Sequence, residues 1–470
     1  MDLASKLSLY GKPAKSEDSA KQSDIEKQDH FQRNDHPESR KASSTGLEDG
    51  SSSAYYATAP VKSASASEQT NPSFLLFENI TLREIAPDLY YRKERYQDLT
   101  LGYSSLPELL VQPMQFLDDL LPSSGVPGTP SMIHRNEVLF LDTETTGLGR
   151  GPGNFPFLYG LAWITEEGLE FEQYFLDGPG AEESFHSLLK EKVAGFSAIC
   201  SYNGKSFDIP LIRNRFVLLG ERFRAPPAHL DLFHFWKSIG GGMRKVSGKK
   251  GYKQKNLEEE VLGFFRKEDL PGAEVPQVYF DYRKYGRKER MHEVLKHNEW
   301  DLQGLALLFL KAIALVNDQR DQVSLYRSGI ARMFLRHGRT EESRNILAEI
   351  TETPSDENYT RELLYGDRLL LGMILKREKR YEEADSVFRG LFRKYRCMQS
   401  CIELSRYREF RTGESEAALA IAREGLDLLE FRGVDSTDRY YLDLKKRTSR
   451  LENRLKRMQA SSQKAAGARN

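Results

Sequence analysis

Apolar residues recur along this chain in two rhythms. Up to about residue 315 they come in short runs broken by turns. Glu137-Val138-Leu139-Phe140-Leu141 is a β-branched and aromatic run that stops at an acidic turn, which predicts a strand. Phe157–Thr165 and Leu169–Leu176 read as two more strands, joined by the turn Glu166-Glu167-Gly168. These three predict an antiparallel meander. A helix is expected over Glu182–Ala194, a fourth strand over Ala198–Tyr202, a helix from Phe207 to Gly220, and a fifth strand ending at Asp231. Strands followed by strand–helix alternation predict an α/β fold: a mixed five-stranded sheet with helices on both faces. Upstream, strand-like pieces begin at Phe74-Leu75-Leu76-Phe77, and an apolar helix is expected over Leu106–Leu121. From about Asp321 the rhythm is helical only.

The helical part has a period of its own. Leu371-Gly372, Leu375, Tyr381, Ala384 and Phe388 sit at the offsets of the tetratricopeptide (TPR) consensus, and Ala418 follows Ala384 by one repeat length. A weaker copy runs through Ala331, Phe334, Gly338, Ser343 and Leu347, which implies an insertion near Thr351–Asn358. About three degenerate repeats are expected, capped by the charged helix Thr437–Met458, because a stack needs a polar outer end. The expected organisation is a disordered tail over 1–72 and an extension over 73–135 that packs on the next domain. That α/β domain follows over 136–318, then helical repeats over 321–459 and a short disordered tail over 460–470.

Composition changes this picture little. The chain has 470 residues, with 69 Lys and Arg against 69 Asp and Glu. No global charge draws it to nucleic acid, so any such binding needs local basic patches. Residues 1–72 are too poor in large apolar side chains to offset their ordering entropy. The N-terminus does not read as a signal peptide, and no apolar run is long enough to span a membrane. A cytoplasmic protein is expected. Three cysteines suit a reducing compartment, and Cys397 and Cys401 read as packing residues.

The candidate chemistry lies in four acids. Asp142 and Glu144 end the first strand in LDTETTG and, two apart, point to one face. Asp208 follows the fourth strand in SYNGKSFD. Asp301 lies in HNEWD on an expected helix, with His297 one turn before it on the same face. Converging carboxylates repel one another, and hard divalent cations such as Mg²⁺ or Mn²⁺ resolve the conflict. Two such ions activate a water and stabilise the leaving oxygen of a phosphodiester, and a neutral imidazole takes the water's proton.

FLDTETTG, SYNGKSFD and HNEWD resemble, in order, the three exonuclease motifs of the DEDD (DnaQ-like) 3′–5′ exonuclease superfamily. GNFPFLYGLA and RKEDLPGAEVPQVYFDY bring the match closer to its YprB-like, ribonuclease H-like subgroup, which often carries C-terminal TPR-like helices. The resemblance covers roughly residues 80–315. It implies a ribonuclease H-like fold and a two-metal site of Asp142, Glu144, Asp208 and Asp301, with His297 as general base. It also implies that Thr145 and Gly147 bring backbone amides to a terminal nucleotide, although both equally suit a simple turn. One departure stands out: in the histidine branch of that superfamily the base usually lies five residues before the last Asp, and here it lies four before.

Other positions admit two readings. Lys205 would neutralise a substrate phosphate and Asn203 would orient the metal site, or Asn203-Gly204-Lys205 is turn chemistry alone. Lys237–Lys255 is Gly-rich and basic, a loop suited to tracking phosphates or simply solvated. Asp231 reads as a capping acid outside the ligand set, and His229 and His292 as structural. The expected activity is metal-dependent 3′–5′ exonucleolysis of single-stranded DNA or RNA, with the repeats recruiting a protein partner and no membrane involved. The alternatives are a non-catalytic nucleic-acid-binding TPR scaffold and a structure-specific endonuclease.

Overall fold

The computed structural model describes residues 73–111, 133–147, 153–240, 251–317, 324–352 and 361–467. The expected tail over 1–72 and the expected insertion near Thr351–Asn358 lie largely or wholly outside these. The helix expected over Leu106–Leu121 is seen as Leu106–Leu110, and most of its remainder lies outside.

All five expected strands form. They are β4 (Val138–Thr145), β5 (Pro156–Thr165), β6 (Gly168–Leu176), β7 (Ala198–Ser201) and β8 (Ala228–Asp231). The first three form the antiparallel meander, and β7 pairs parallel with both β4 and β8. The sheet is nevertheless wider than expected. Before these run β1 (Phe74–Phe77), β2 (Ile80–Ala86) and β3 (Leu89–Tyr96), giving the order β1-β2-β3-β6-β5-β4-β7-β8. β3 pairs with β6 over eight residues, from Leu89 opposite Leu176 to Tyr96 opposite Leu169. The extension therefore continues the sheet. The reason lies in β6 itself, where Glu170, Glu172 and Gln173 are buried. Buried polar groups need partners; Glu172 has Tyr174 and Lys192 at 2.8 and 2.9 Å, and β3 supplies the rest: Lys93 reaches Glu170 at 2.9 Å, Tyr91 donates to Glu172 at 3.0 Å, and Arg92 donates to Gln173 at 2.6 Å.

Helices cover both faces: α1 (Glu182–Ala194), α2 (Asp208–Leu218), α3 (Leu232–Gly240), α4 (Val275–Tyr285) and α5 (Met291–Asn317). β4 shows how the pleat sorts its side chains. Val138 and Phe140 join the core under α5, where Phe140 meets Phe309 edge-on at 5.3 Å. Leu139 and Leu141 join the opposite core with Phe185 of α1 and Ile212 of α2. The Lys237–Lys255 stretch is not wholly a loop. Its first residues finish α3, Gln254–Leu257 forms a helical turn that continues as a π-helical turn over Glu258–Leu262, and residues 241–250 lie outside the described ones.

Among the described residues seven further helices follow: α6 (Ser324–Arg336), α7 (Thr340–Glu352), α8 (Arg361–Arg377), α9 (Tyr381–Tyr395), α10 (Met398–Phe410), α11 (Ser415–Phe431) and α12 (Arg439–Gly467), each packed on the next. The last runs past the expected end at Met458. Cys397 caps α10, its sulfur accepting from Ser400 N, and Cys401 is buried. No described helix is long and apolar enough to cross a membrane.

Gly160 lets α5 lie close on the sheet. A Cβ there would fall inside contact distance of Asn298 Oδ1 and Leu302 Cδ1. Gly160→Ala is therefore expected to cost about 1–3 kcal/mol, read as a lowered urea midpoint. An unchanged midpoint would mean that α5 can shift without cost.

Candidate active site

The acids meet where β4 ends. Asp142 and Glu144 continue the Val138–Phe140 face, toward α5, while Thr143 points to the other face. There its hydroxyl donates to Asp208 Oδ1 at 2.6 Å, fixing the first residue of α2. On α5, His297 Nε2 lies 3.3 Å from Asp301 Oδ2 and 3.9 Å from Glu144 Oε1. Among the described residues, Glu144, His297 and Asp301 offer ligand atoms within 4.8 Å of one another. Asp142 joins from the neighbouring position, its Oδ2 accepting from Asn298 Nδ2 at 2.8 Å.

The electrostatics reflect this convergence. Burial, then the charges of Asp301, Glu144 and Asp208, push the Asp142 carboxyl well above the usual carboxylate range. Glu144 is pushed up to about 8, mainly by burial; His297 opposes this, and Asp301 and Asp208 add to it. Burial raises Asp208 to about 6 against the pull of the Thr143 hydroxyl. For His297, burial acts downward but is outweighed by Asp301, by the hydrogen bond to Asp269 and by Glu144, so the imidazole rises to about 10. The charges of Asp301, Glu144 and Asp208 are thus felt at Asp142, and those of Asp301 and Asp208 at Glu144. Hard oxygen donors gathered with like charge are the donor set that a divalent cation relieves, so these residues fit one.

A profile of the RNase_H superfamily matches residues 139–313, from β4 through almost all of α5. The chain is also 30% identical over 364 residues to the "Uncharacterized protein YprB" of Bacillus subtilis (strain 168), a match covering 74% of this chain and 81% of that one. The chain belongs to the YprB family, and its residues 139–313 form an RNase_H superfamily domain. The RNase H-like domain is one of nucleic-acid hydrolases, which typically work with divalent metals. In this YprB-family member the matched segment holds every acid described above.

It also holds residues that the motifs did not announce. Arg266 is buried and donates to both oxygens of Glu258, at 2.8 and 2.7 Å, and to Asp301 Oδ1 at 2.6 Å. One carboxylate oxygen of the cluster thus already faces a built-in cation. Asp269 accepts from His297 Nδ1 at 2.6 Å, which turns Nε2 toward Glu144 and Asp301. Asn298 is set in turn by Gln173, whose amide donates to Asn298 Oδ1 at 2.8 Å while its own Oε1 accepts from Arg92 on β3. The extension thereby reaches Asp142 through two amides. Arg266 and Asp269 lie in the RKEDLPG stretch and Asn298 inside HNEWD. Their residue types were visible in the sequence; their partners, tens of residues away, were not.

The remaining candidates sit in turns and near strand ends. Asn203 has φ +63°, in the left-handed region, and Asp231 accepts from the backbone amides of Asn203 and Lys205 at 2.8 and 3.1 Å. Asp231 also accepts from Phe233 N at the start of α3, as a capping acid does. The Thr145 hydroxyl donates to Gly147 O at 2.7 Å. His229 lies 2.7 Å from Ser201 Oγ, and burial lowers it to about 3, as befits a structural histidine.

Proposed function

We propose that this chain is a metal-dependent 3′–5′ exonuclease that hydrolyses phosphodiester bonds of single-stranded nucleic acid. One observation carries the reading: Glu144 and Asp301 come together beside an imidazole braced by Asp269, with Asp142 and Asp208 near enough for their charges to be felt there. Two Mg²⁺ or Mn²⁺ ions, held by those four carboxylates, would supply an activated water and charge neutralisation at the phosphodiester.

The chain's own groups do the rest. Asp269 fixes Nδ1, so His297 accepts the water's proton at Nε2. That demands a neutral ring. Negative charge on Asp301 and Glu144 is what holds the imidazole proton, so His297 turns base only when that charge is offset. Asn298 keeps Asp142 aimed at the cluster. In this reading Thr145, Gly147, Asn203 and Lys205 line the path of the terminal nucleotide, 136–318 is the catalytic domain of a cytoplasmic protein, and the helices from 324 are TPR-like repeats that recruit a protein partner. Gly372 lies against the Phe388 ring; both are consensus positions, which supports the repeat assignment.

The test is a time course on 5′-labelled single-stranded DNA and RNA in Mn²⁺ or Mg²⁺. Products shortened stepwise from the 3′ end are expected, and are lost in Asp142→Ala and His297→Ala. Internal fragments appearing first would make the enzyme an endonuclease. Retained binding without any cleavage would leave a non-catalytic scaffold.

A further inference from the structure

The charge of this chain balances overall but not locally. α12 carries nine lysines and arginines against Asp443 and Glu452, a surplus of seven, while the rest of the chain is negative by the same amount. Arg450, Arg454 and Arg457 recur at helical spacing along one face of α12, and a groove of about 800 Å³ runs there, lined also by Asn453, Met458 and Ser461. Like charges one turn apart on a helix repel. A fold that concentrates them has a use for the resulting field.

The face is also built. Glu409, on α10, is buried and lies 3.0 Å from Arg447, 2.6 Å from Arg450 and 3.7 Å from Arg454. One carboxylate fixes three guanidiniums and neutralises only one of them. Arg450 sits 5.5 Å over the ring of Phe410, which is 60% exposed at the end of α10. Spaced guanidiniums beside an open aromatic face are the two components of sequence-tolerant binding to single strands: phosphate pairing and base stacking.

We propose that this face of α12 and Phe410 binds the sugar-phosphate backbone of a single-stranded nucleic acid, as a second contact remote in sequence from the carboxylate cluster. The inference rests on the proposed substrate class. It deepens that reading by giving long strands an anchor that short ones lack.

The test uses the full chain. Binding of a labelled single strand of about 30 nucleotides, longer than one typical site, is measured in EDTA by fluorescence anisotropy across a salt series. Arg450→Gln/Arg454→Gln/Arg457→Gln is compared with wild type. Affinity is expected to fall about tenfold, and the slope of log K against log salt to flatten by about 2, since each lost phosphate contact contributes about 0.7. Arg457→Glu alone, at a residue not among those packed on Glu409, should move both in the same direction, which guards against a folding defect from disturbing that acid. Hydrolysis of the p-nitrophenyl ester of thymidine 5′-monophosphate in Mn²⁺ reads the chemistry alone and should be unchanged in both variants.

Unchanged affinity and slope in the folded triple variant would overturn the proposal. So would competition by poly-glutamate as effective as by an equal length of strand, which would make the face a dock for acidic protein. If the wild type failed to hydrolyse the ester while strand binding still fell in the variants, the nuclease reading would fail and this surface would stand.

Discussion

Asp142→Asn is expected to melt above the wild-type protein in metal-free buffer and below it in Mn²⁺, with cleavage lost in both. The substitution removes one of four mutually repelling carboxylates and keeps an oxygen for Asn298 to donate to. Each kcal/mol of relief should appear as about 1–2 °C, since the shift shrinks as the cooperative unit grows. The wild type gains in Mn²⁺ because an ion bound only by the folded state stabilises it, by about 2.7 kcal/mol at a hundredfold excess over Kd.

The pH dependence has a definite sign. Glu144 is raised to about 8 and His297 to about 10 in the folded protein. For a raised group, stability is full below the unfolded value and is lost as pH climbs through the folded one. Glu144 therefore weakens the metal-free wild type as pH rises from the ordinary carboxylate range through about 8, and His297 does so as pH rises from the ordinary imidazole value toward about 10. Asp142 is itself raised well above the ordinary carboxylate range, so the wild type also loses its contribution as pH climbs while the variant has none to lose, and the variant's advantage should widen with pH. Thermal scans with EDTA at the two ends of that range, repeated with Mn²⁺, read all of this. A variant that melts below wild type in EDTA at the upper end would mean that the carboxylates do not repel as described.

Arg266→Met should be the most damaging single change outside the acids. The guanidinium is buried and satisfies both oxygens of Glu258, itself buried, and one of Asp301. Its loss strands a buried carboxylate, which typically costs about 3–5 kcal/mol. Lysine should not rescue, since one ammonium cannot reproduce the fork that spans Glu258 and Asp301. Glu258→Gln in the Arg266→Met background should recover part of the loss by removing the stranded charge. Urea midpoints of the two single variants and the double variant form the cycle. An Arg266→Met protein as stable as wild type would show that Glu258 and Asp301 find other partners.

The strand that carries Asp142 and Glu144 was legible because a central strand covered on both faces is a dense apolar run, and two acids two apart at its end have few structural uses. His297 and Asp301 were legible as a pair because a helical turn fixes their shared face whatever surrounds it. Their departure from the expected spacing of five still leaves His297 Nε2 facing Glu144 and Asp301. Not legible was whatever depends on pairing across the fold. The match of β3 to β6 is set by buried Glu170 and Glu172, which in sequence look like the polar half of an alternating strand. Arg266 and Asp269 follow no periodicity and acquire meaning only from Glu258, Asp301 and His297, brought to them by the chain's return through α5.

α5 reaches further than the site it carries. Its first half bears His297 and Asp301, and its second half, Leu302 to Val316, is almost wholly buried in a core that continues without a break through Ile330, Phe334 and Ile374 to Leu444. Where α6 crosses α3, Gly329 rests against the backbone of Ile239, with no room for a side chain between them. The helices after α5 are therefore no trailing appendage. A stop codon or protease cut between α5 and α6 would leave a sticky, half-melted nuclease, and heat should unfold both halves in one step.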